Sequence, residues 1–565
     1  MERPFPKRIL ALDRNSGGDI SVKVLEVENK AISGIYATLS HYWGPEMPCV
    51  LSTENRTNRL CGIPWTELPQ TFQDAIRYCL ALGVFYLWID ALCIIQDDPG
   101  DWQIQSAMMS SIYENSYITL AATASDCGSS GCFQKESIVY KERSLEVSRT
   151  GGQVYQVLIR QLTPHWAVPS TSESKRDNPL LSRGWVFQER ILSPRVLHFC
   201  KHELVWECGQ ETLCECGSIP KTRSLKLQFA LAARLQGAEE VPKLEQRYEG
   251  SNSSQISSSQ RMDFHSVEES GILSDAINQW HAIVEQYSIL KLTRDRDSLP
   301  ALSGLAERMA PFLGEYLAGL WKRSFLSDLC WRVDKLAFGP QRPAEYRGPS
   351  WSWVSTKAKV AFWTQEEITP RVTVAEPYRR YATHPRDTRL GSSAHDSRAQ
   401  AFLNHRAPAL DIISCTVDID GRNKYGEVSS TLLLVDGNLK ASKLWEVPAI
   451  SFPNSALPPS FEVEVEFLSQ TSPGLEMDPT RVDSWRLPFL ADYILSNERG
   501  HRVDGSELVF LLSISPTICL VLSKTPLRLS RDTCIFRRIG ILKVPQYRYA
   551  VAVMRGLQRT RVAII

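Results

Sequence analysis

The chain has 565 residues, more than one hydrophobic core usually serves, so about two to four domains are expected. Its 43% hydrophobic and 22% charged content is that of a soluble globular protein and excludes a low-complexity or fibrous chain. A formal net charge of +1 argues against a broad electrostatic footprint for nucleic acid or an anionic membrane.

The opening residues, MERPFPKRILALDRNSGG, lack the long apolar core of a secretory signal. No apolar run reaches the roughly 18 residues of a membrane span. With neither signal, the 14 scattered cysteines read as reduced thiols and the expected location is cytoplasmic. Arg8 to Leu12 and Ile20 to Val27 read as short strands around the turn Asn15-Ser16-Gly17-Gly18. Ile35 to His41 is a third strand, stopped by Tyr42-Trp43-Gly44-Pro45. A helix then opens near Leu68-Pro69-Gln70-Thr71, with Phe72, Ala75, Ile76, Cys79 and Leu80 on one face and Gly83 at its end. Val84 to Ile89 is apolar at every position, as in a central strand of a parallel sheet buried on both faces. It runs into Asp90. Asp97 and Asp98 read as a loop that caps the next helix, Trp102 to Asn115, whose stripe is Trp102, Gln105, Met109, Ile112 and Ser116. Tyr117 to Thr123 closes a strand–helix–strand–helix–strand series, the pattern of a doubly wound or flavodoxin-like sheet.

Further on, Val154 to Arg160 and Val196 to Phe199 read as strands, and Ser182 to Arg190 as a turn entering a short helix. Residues 217 to 262 are polar, with SNSSQISSSQ among them, and read as a disordered insertion. Ser274 to Leu292, Leu299 to Leu313 and Glu315 to Val333 are expected to be helical, and Tyr346 to Ser355 β. Residues 377 to 407 read as a second, loose insertion. Asp411 to Ile419, Thr431 to Val435, Leu508 to Ile514, Ile518 to Leu522 and Arg538 to Val544 are strand-like.

One set of motifs resembles a known family. Tyr36-Ala37-Thr38-Leu39-Ser40-His41-Tyr42-Trp43-Gly44 is similar to the opening motif of fungal heterokaryon incompatibility (HET) domains. Leu68-Pro69, Thr71-Phe72 and Asp74-Ala75-Ile76 continue it, and Leu87 to Gln96 (LWIDALCIIQ) is its most specific element. Asp101-Trp102, Met109, Ile112-Tyr113 and Leu120 to Ala122 follow in order. Arg183-Gly184-Trp185, Gln188-Glu189-Arg190, Leu192-Ser193 and Trp206-Glu207-Cys208 resemble the family's second block. DSLPALSG, Ala318 to Trp321 and GPSWSWV look like later features of full-length members.

The resemblance implies a fungal non-self recognition protein of vegetative incompatibility, an effector of programmed cell death acting through regulated association. Its implied partners are other incompatibility proteins, with homo-oligomerisation an open option and neither nucleic acid nor a membrane span expected. It also implies an α/β core similar to Toll/interleukin-1 receptor (TIR) domains, some of which cleave NAD. The expected layout is N-terminal strands to residue 29, a HET domain over 30–215 with a TIR-like or flavodoxin-like parallel sheet, and a polar insertion over 216–272. A helical segment over 273–335 and a β-rich C-terminal domain over 336–565 follow. No cofactor is required, and NAD is the candidate substrate of the alternative, enzymatic reading.

The family's pattern carries a glutamate three residues after the helix tryptophan, and here that position is Gln105. An amide can bond a ribose hydroxyl but cannot supply charge to a developing cation. Asp90 and Glu189 are therefore the candidate catalytic carboxylates, with Asp97 and Asp101 near in sequence. Asp90 could equally cap a helix or pair with an arginine. His41, Trp43, Gln105, Arg183 and Arg190 are the candidate ligand-binding residues. Their structural alternatives are a lone core histidine, a core tryptophan and an internal ion-pair network. Cys200, His202, Cys208, Cys214 and Cys216 have the residue types for zinc, but C-x5-C-x-C does not match paired C-x2-C knuckles and no metal site is assigned. The dinucleotide-binding, P-loop, zincin and α/β-hydrolase motifs are absent from the sequence.

Overall fold

The computed structural model describes residues 4–27, 32–44, 49–134, 138–148, 154–235, 271–334, 342–364, 410–447, 451–468, 482–495, 504–544 and 558–565, isolated positions and 166–176, 220–223, 453–454 and 457–459 within these spans aside. The chain divides into two compact units. The first comprises Met1–Ser253, Asn278–Phe312 and Ile419–Glu427, and the second Ser254–Ile277, Leu313–Asp418 and Val428–Ile565.

The first unit is built on β1 (Arg8–Arg14), β2 (Ile20–Glu26), β3 (Ala37–Ser40), α1 (Arg56–Cys61), α2 (Gln70–Ala81), β4 (Tyr86–Trp88), α3 (Asp90–Cys93), α4 (Pro99–Asn115) and β5 (Ile118–Ala121). The hairpin β6 (Arg143–Ser148) and β7 (Val154–Ile159) follows, then α5 (Gly184–Leu192), β8 (Arg195–Phe199), β9 (Leu204–Cys208), β10 (Thr212–Cys214), α6 (Leu225–Leu235) and, for most of their length, α7 (Gly271–Tyr287) and α8 (Ser303–Leu313). One eight-stranded sheet takes the order β10-β9-β8-β5-β3-β4-β1-β2. Its centre, β8-β5-β3-β4, is parallel, while β1 and β2 on one side and β9 and β10 on the other are antiparallel. The sheet is therefore mixed rather than purely parallel. In chain order the parallel strands run second, first, third, fourth, so β3 and β5 flank the point where the winding reverses. That is where ligands sit in open α/β sheets.

Local chemistry accounts for the elements. α2 buries Thr71, Phe72, Asp74, Ala75, Ile76 and Cys79, and ends where Gly83 turns to a φ of +70°. α4 begins at Pro99, earlier than its apolar stripe indicates, because the Asp98 carboxylate accepts the Gly100 and Asp101 N–H groups and proline suits the first helical position. The central strand is shorter than its apolar run. Phe85 is 55% exposed and Tyr86 half-buried, while Val84, Leu87, Trp88 and Ile89 are in the core. Residues 225–235 within the expected polar insertion are helical, as α6. Residues 220–223 and 236–270 of it, and the insertion expected over 377–407, lie outside the described residues.

α7 turns Trp280, Ile283, Val284 and Tyr287 inward, and the Tyr287 hydroxyl donates to the Ser298 carbonyl at 2.7 Å. Gly184 at the start of α5 sits where a Cβ would meet Leu292 Cδ2 at 2.5 Å, and Gly304 in α8 where a Cβ would collide with Ser110, Leu192 and Gln188. Bare backbone lets these helices approach.

In the second unit, the stretch expected as a helix over Glu315–Val333 is instead a tight β-hairpin, Tyr316–Leu317 with Leu320–Trp321, followed by short helical turns. Ala318 and Gly319 at the hairpin tip both have positive φ, which a helix cannot accommodate. The expected β-rich character is present as an eight-stranded sheet over Leu410–Ile564, in which Val428–Val447 runs straight through Asp436-Gly437. Arg538 is buried against the Trp331 ring at 3.6 Å. It donates to the Leu329 and Trp331 carbonyls and pairs with Asp492.

Candidate functional site

The carboxyl ends of neighbouring strands β3 and β4 deliver Ser40, His41 and Asp90 to one place, and α5 brings Glu189 beneath them. Asp90 opens α3, and its Oδ1 accepts the Ala91 N–H at 2.8 Å. Its other oxygen accepts the Trp43 indole N–H at 2.8 Å, and His41 Nδ1 lies 3.6 Å from Oδ1. About a fifth of the Asp90 side chain stays exposed while His41 is buried. Burial holds the His41 imidazole below its usual pKa, although the Asp90 carboxylate pulls the other way.

Glu189 is buried. Ser40 Oγ donates to its Oε2 at 2.5 Å, and the Tyr113 hydroxyl stands against the same carboxyl. Desolvation lifts its pKa to about 7. The Ser40 bond opposes the shift, the Asp90 carboxylate reinforces it and the Arg183 guanidinium opposes it. Tyr113 is pushed well above the usual phenol value, by burial first and then by Glu189 and Asp90. Arg183 caps this corner. Its Nη1 donates to the His41 carbonyl at 2.8 Å, and its guanidinium lies 5.2 Å from the Tyr42 ring centroid. His41, Trp43, Asp90, Arg183 and Glu189 thus form one constellation.

Three other candidates are spent elsewhere. Arg190 follows Glu189 on α5, and consecutive helical residues do not face the same way. It makes a two-pronged pair with buried Glu207, at 2.7 and 2.8 Å, which His198 joins at 3.3 Å. Despite desolvation, Arg190 and His198 hold Glu207 well below the usual carboxylate range. Asp101 pairs with buried Arg8 and accepts the Ile95 N–H at 2.9 Å. Asp97 accepts the Thr53 N–H and hydroxyl at the surface. Gln105 is fully buried on α4, and neither of its amide atoms has a hydrogen-bond partner among the described residues.

Sequence reasoning missed Ser40 and Tyr113. Ser40 was legible only as the residue before His41, and Tyr113 as the position two turns beyond Gln105. Of the zinc-type residues, Cys214 and Cys216 do come together, but with His165 and Glu203 and not with Cys200, Cys208 or His202.

The fold and site define an α/β domain with a polar, carboxylate-bearing cluster at the carboxyl ends of parallel strands. Residues 36–189 match the family described as heterokaryon incompatibility protein (HET), a span that contains every member of the constellation. The chain carries a HET domain over these residues. No curated protein and no solved structure matched it. Among the described residues, no helix is long and apolar enough to cross a membrane.

Proposed function

We propose that this protein is a cytoplasmic effector of fungal non-self recognition, driving growth arrest or cell death through regulated association of its HET domain, with a second copy of the chain as first partner and other incompatibility proteins meeting the same edge. The observation that supports this is the β6–β7 hairpin. All residues of its two strands are exposed, including Leu145, Val147, Val154, Val157, Leu158 and Ile159, and among the described residues neither strand pairs with a third. A two-stranded hairpin is marginal alone in water, and an open apolar edge is a template for another strand.

Light scattering of the full chain tests this, alongside growth of fungal cells expressing it. Val157→Lys with Leu158→Lys alters only exposed side chains. It is expected to give a monomer and to abolish growth arrest. A wild-type chain that stays monomeric at high concentration, or a double variant that kills as well as wild type, refutes the reading.

The Asp90–Glu189 pair supports a second reading, TIR-like hydrolysis of NAD at the nicotinamide–ribose bond. A carboxyl neutral up to about 7 can donate a proton while a second carboxylate faces developing positive charge. The order of the parallel strands fits a flavodoxin-like core. Against it stand the burial of Glu189 behind Ser40 and an amide at Gln105. Nicotinamide release by the full chain that is lost in Asp90→Asn supports this reading, and no release from wild type refutes it.

A further inference from the structure

Beyond the constellation, a second group of chemically matched side chains converges at the β9–β10 edge of the sheet. Glu203 lies in the turn between β8 and β9. Cys214 ends β10, and Cys216 follows after one residue. His165 arrives from the segment between β7 and α5, distant in sequence. The donor atoms of these four residues all lie within 4.8 Å of one another. His165 Nε2 is 2.9 Å from Glu203 Oε1 and 3.1 Å from Cys216 Sγ, and the two sulfurs are 3.2 Å apart.

We propose that His165, Glu203, Cys214 and Cys216 form a tetrahedral zinc site. Bonds of about 2.0–2.3 Å to nitrogen, oxygen and sulfur place tetrahedral ligands about 3.3–3.8 Å apart, so a metal entering this group opens the three short separations by about half an ångström and draws in the wider ones. Two thiolates, one imidazole and one carboxylate are zinc donors, and they fill all four positions.

The surroundings are those of ligands held in place. The Glu203 Oε2 accepts the Cys216 N–H at 2.9 Å, which turns Oε1 toward the site. The Ile219 N–H points at Cys214 Sγ at 3.4 Å, and Ser218 Oγ stands 2.9 Å from Cys216 Sγ. Hydrogen bonds of this kind orient ligands and temper the charge on thiolate sulfur. Gly217, with φ +69°, turns the chain immediately after Cys216. The Arg160 guanidinium bonds the Cys216 carbonyl and supplies positive charge beside a ligand set carrying three negative charges.

The site is structural rather than catalytic. The adjoining cavity is about 10 Å³, room for about one water and no substrate. Zinc would fasten the segment bearing His165 to β10, a strand of only three residues at the sheet edge. A disulfide between Cys214 and Cys216 is the competing fate of the two sulfurs, and all the chain's cysteines are free in the structure.

The test uses the full chain purified under reducing conditions and supplied with Zn2+, then Co2+. Elemental analysis is expected to give one zinc per chain, falling to none in the Cys214→Ser/Cys216→Ser variant and sharply reduced in His165→Ala. Co2+ is expected to give the visible bands and thiolate charge-transfer absorption of a tetrahedral sulfur-ligated ion. Metal-free wild type with both thiols open to a thiol reagent, a mass showing the Cys214–Cys216 disulfide under the same conditions, or unchanged zinc in the double variant overturns the proposal.

Discussion

Replacing Glu189 by glutamine keeps the side-chain shape and an acceptor for Ser40 Oγ, but removes the ability to ionise. The folded protein raises this carboxyl from 4.5 to about 7, chiefly by burial. Below about pH 4.5 the folded and unfolded states are both protonated, and the stability contributed by the neutral carboxyl is fully present. As pH rises from there to about 7 the unfolded chain ionises first, and that contribution is lost. At 1.36 kcal/mol per unit the total is about 3 kcal/mol. Glu189→Gln is therefore expected to match wild type near pH 4.5 and to exceed its stability by about 3 kcal/mol near pH 8. Urea unfolding of the full chain followed by tryptophan fluorescence across this range gives the difference, with the transitions of the two units separated. Titrating groups that do not face Glu189 cancel between the two proteins. A difference that is flat with pH, or a variant less stable at pH 8, would show that Glu189 ionises freely and refute the desolvation argument.

The remaining predictions concern buried polar groups and close packing. Gln105→Met removes two unpartnered amide atoms at nearly constant volume, so unfolding free energy should rise by about 1–3 kcal/mol. A fall would reveal a partner for the amide. Arg190→Met strands the Glu207 carboxylate in the core and should cost about 3–5 kcal/mol at neutral pH, with less lost under acid conditions where Glu207 can take a proton. Chemical denaturation at two pH values measures both. Gly304→Ala forces a methyl against Ser110 and Leu192 and should cost about 1–3 kcal/mol, read as a lowered unfolding midpoint.

The sequence by itself determined the local elements around the site. Helical spacing and Gly83 define α2, Asp98-Pro99 starts α4, and the ordered motifs from Tyr36 to Arg190 mark the HET domain. These signals are local, because caps, turns and apolar period act within one element. Tertiary structure alone decided how charges were shared. Arg190 and Glu189 are adjacent in sequence, yet one is spent on Glu207 and the other is buried under Ser40. Asp101 reads like Asp90 on paper, but Arg8 claims it. His165 meets Cys216 from 51 residues away in the chain, and no spacing rule joins it to Cys214 and Cys216. Which polar groups pair, and how far burial shifts their protons, depends on long-range pairing and on water excluded by neighbours. Neither is written in any single stretch of the chain.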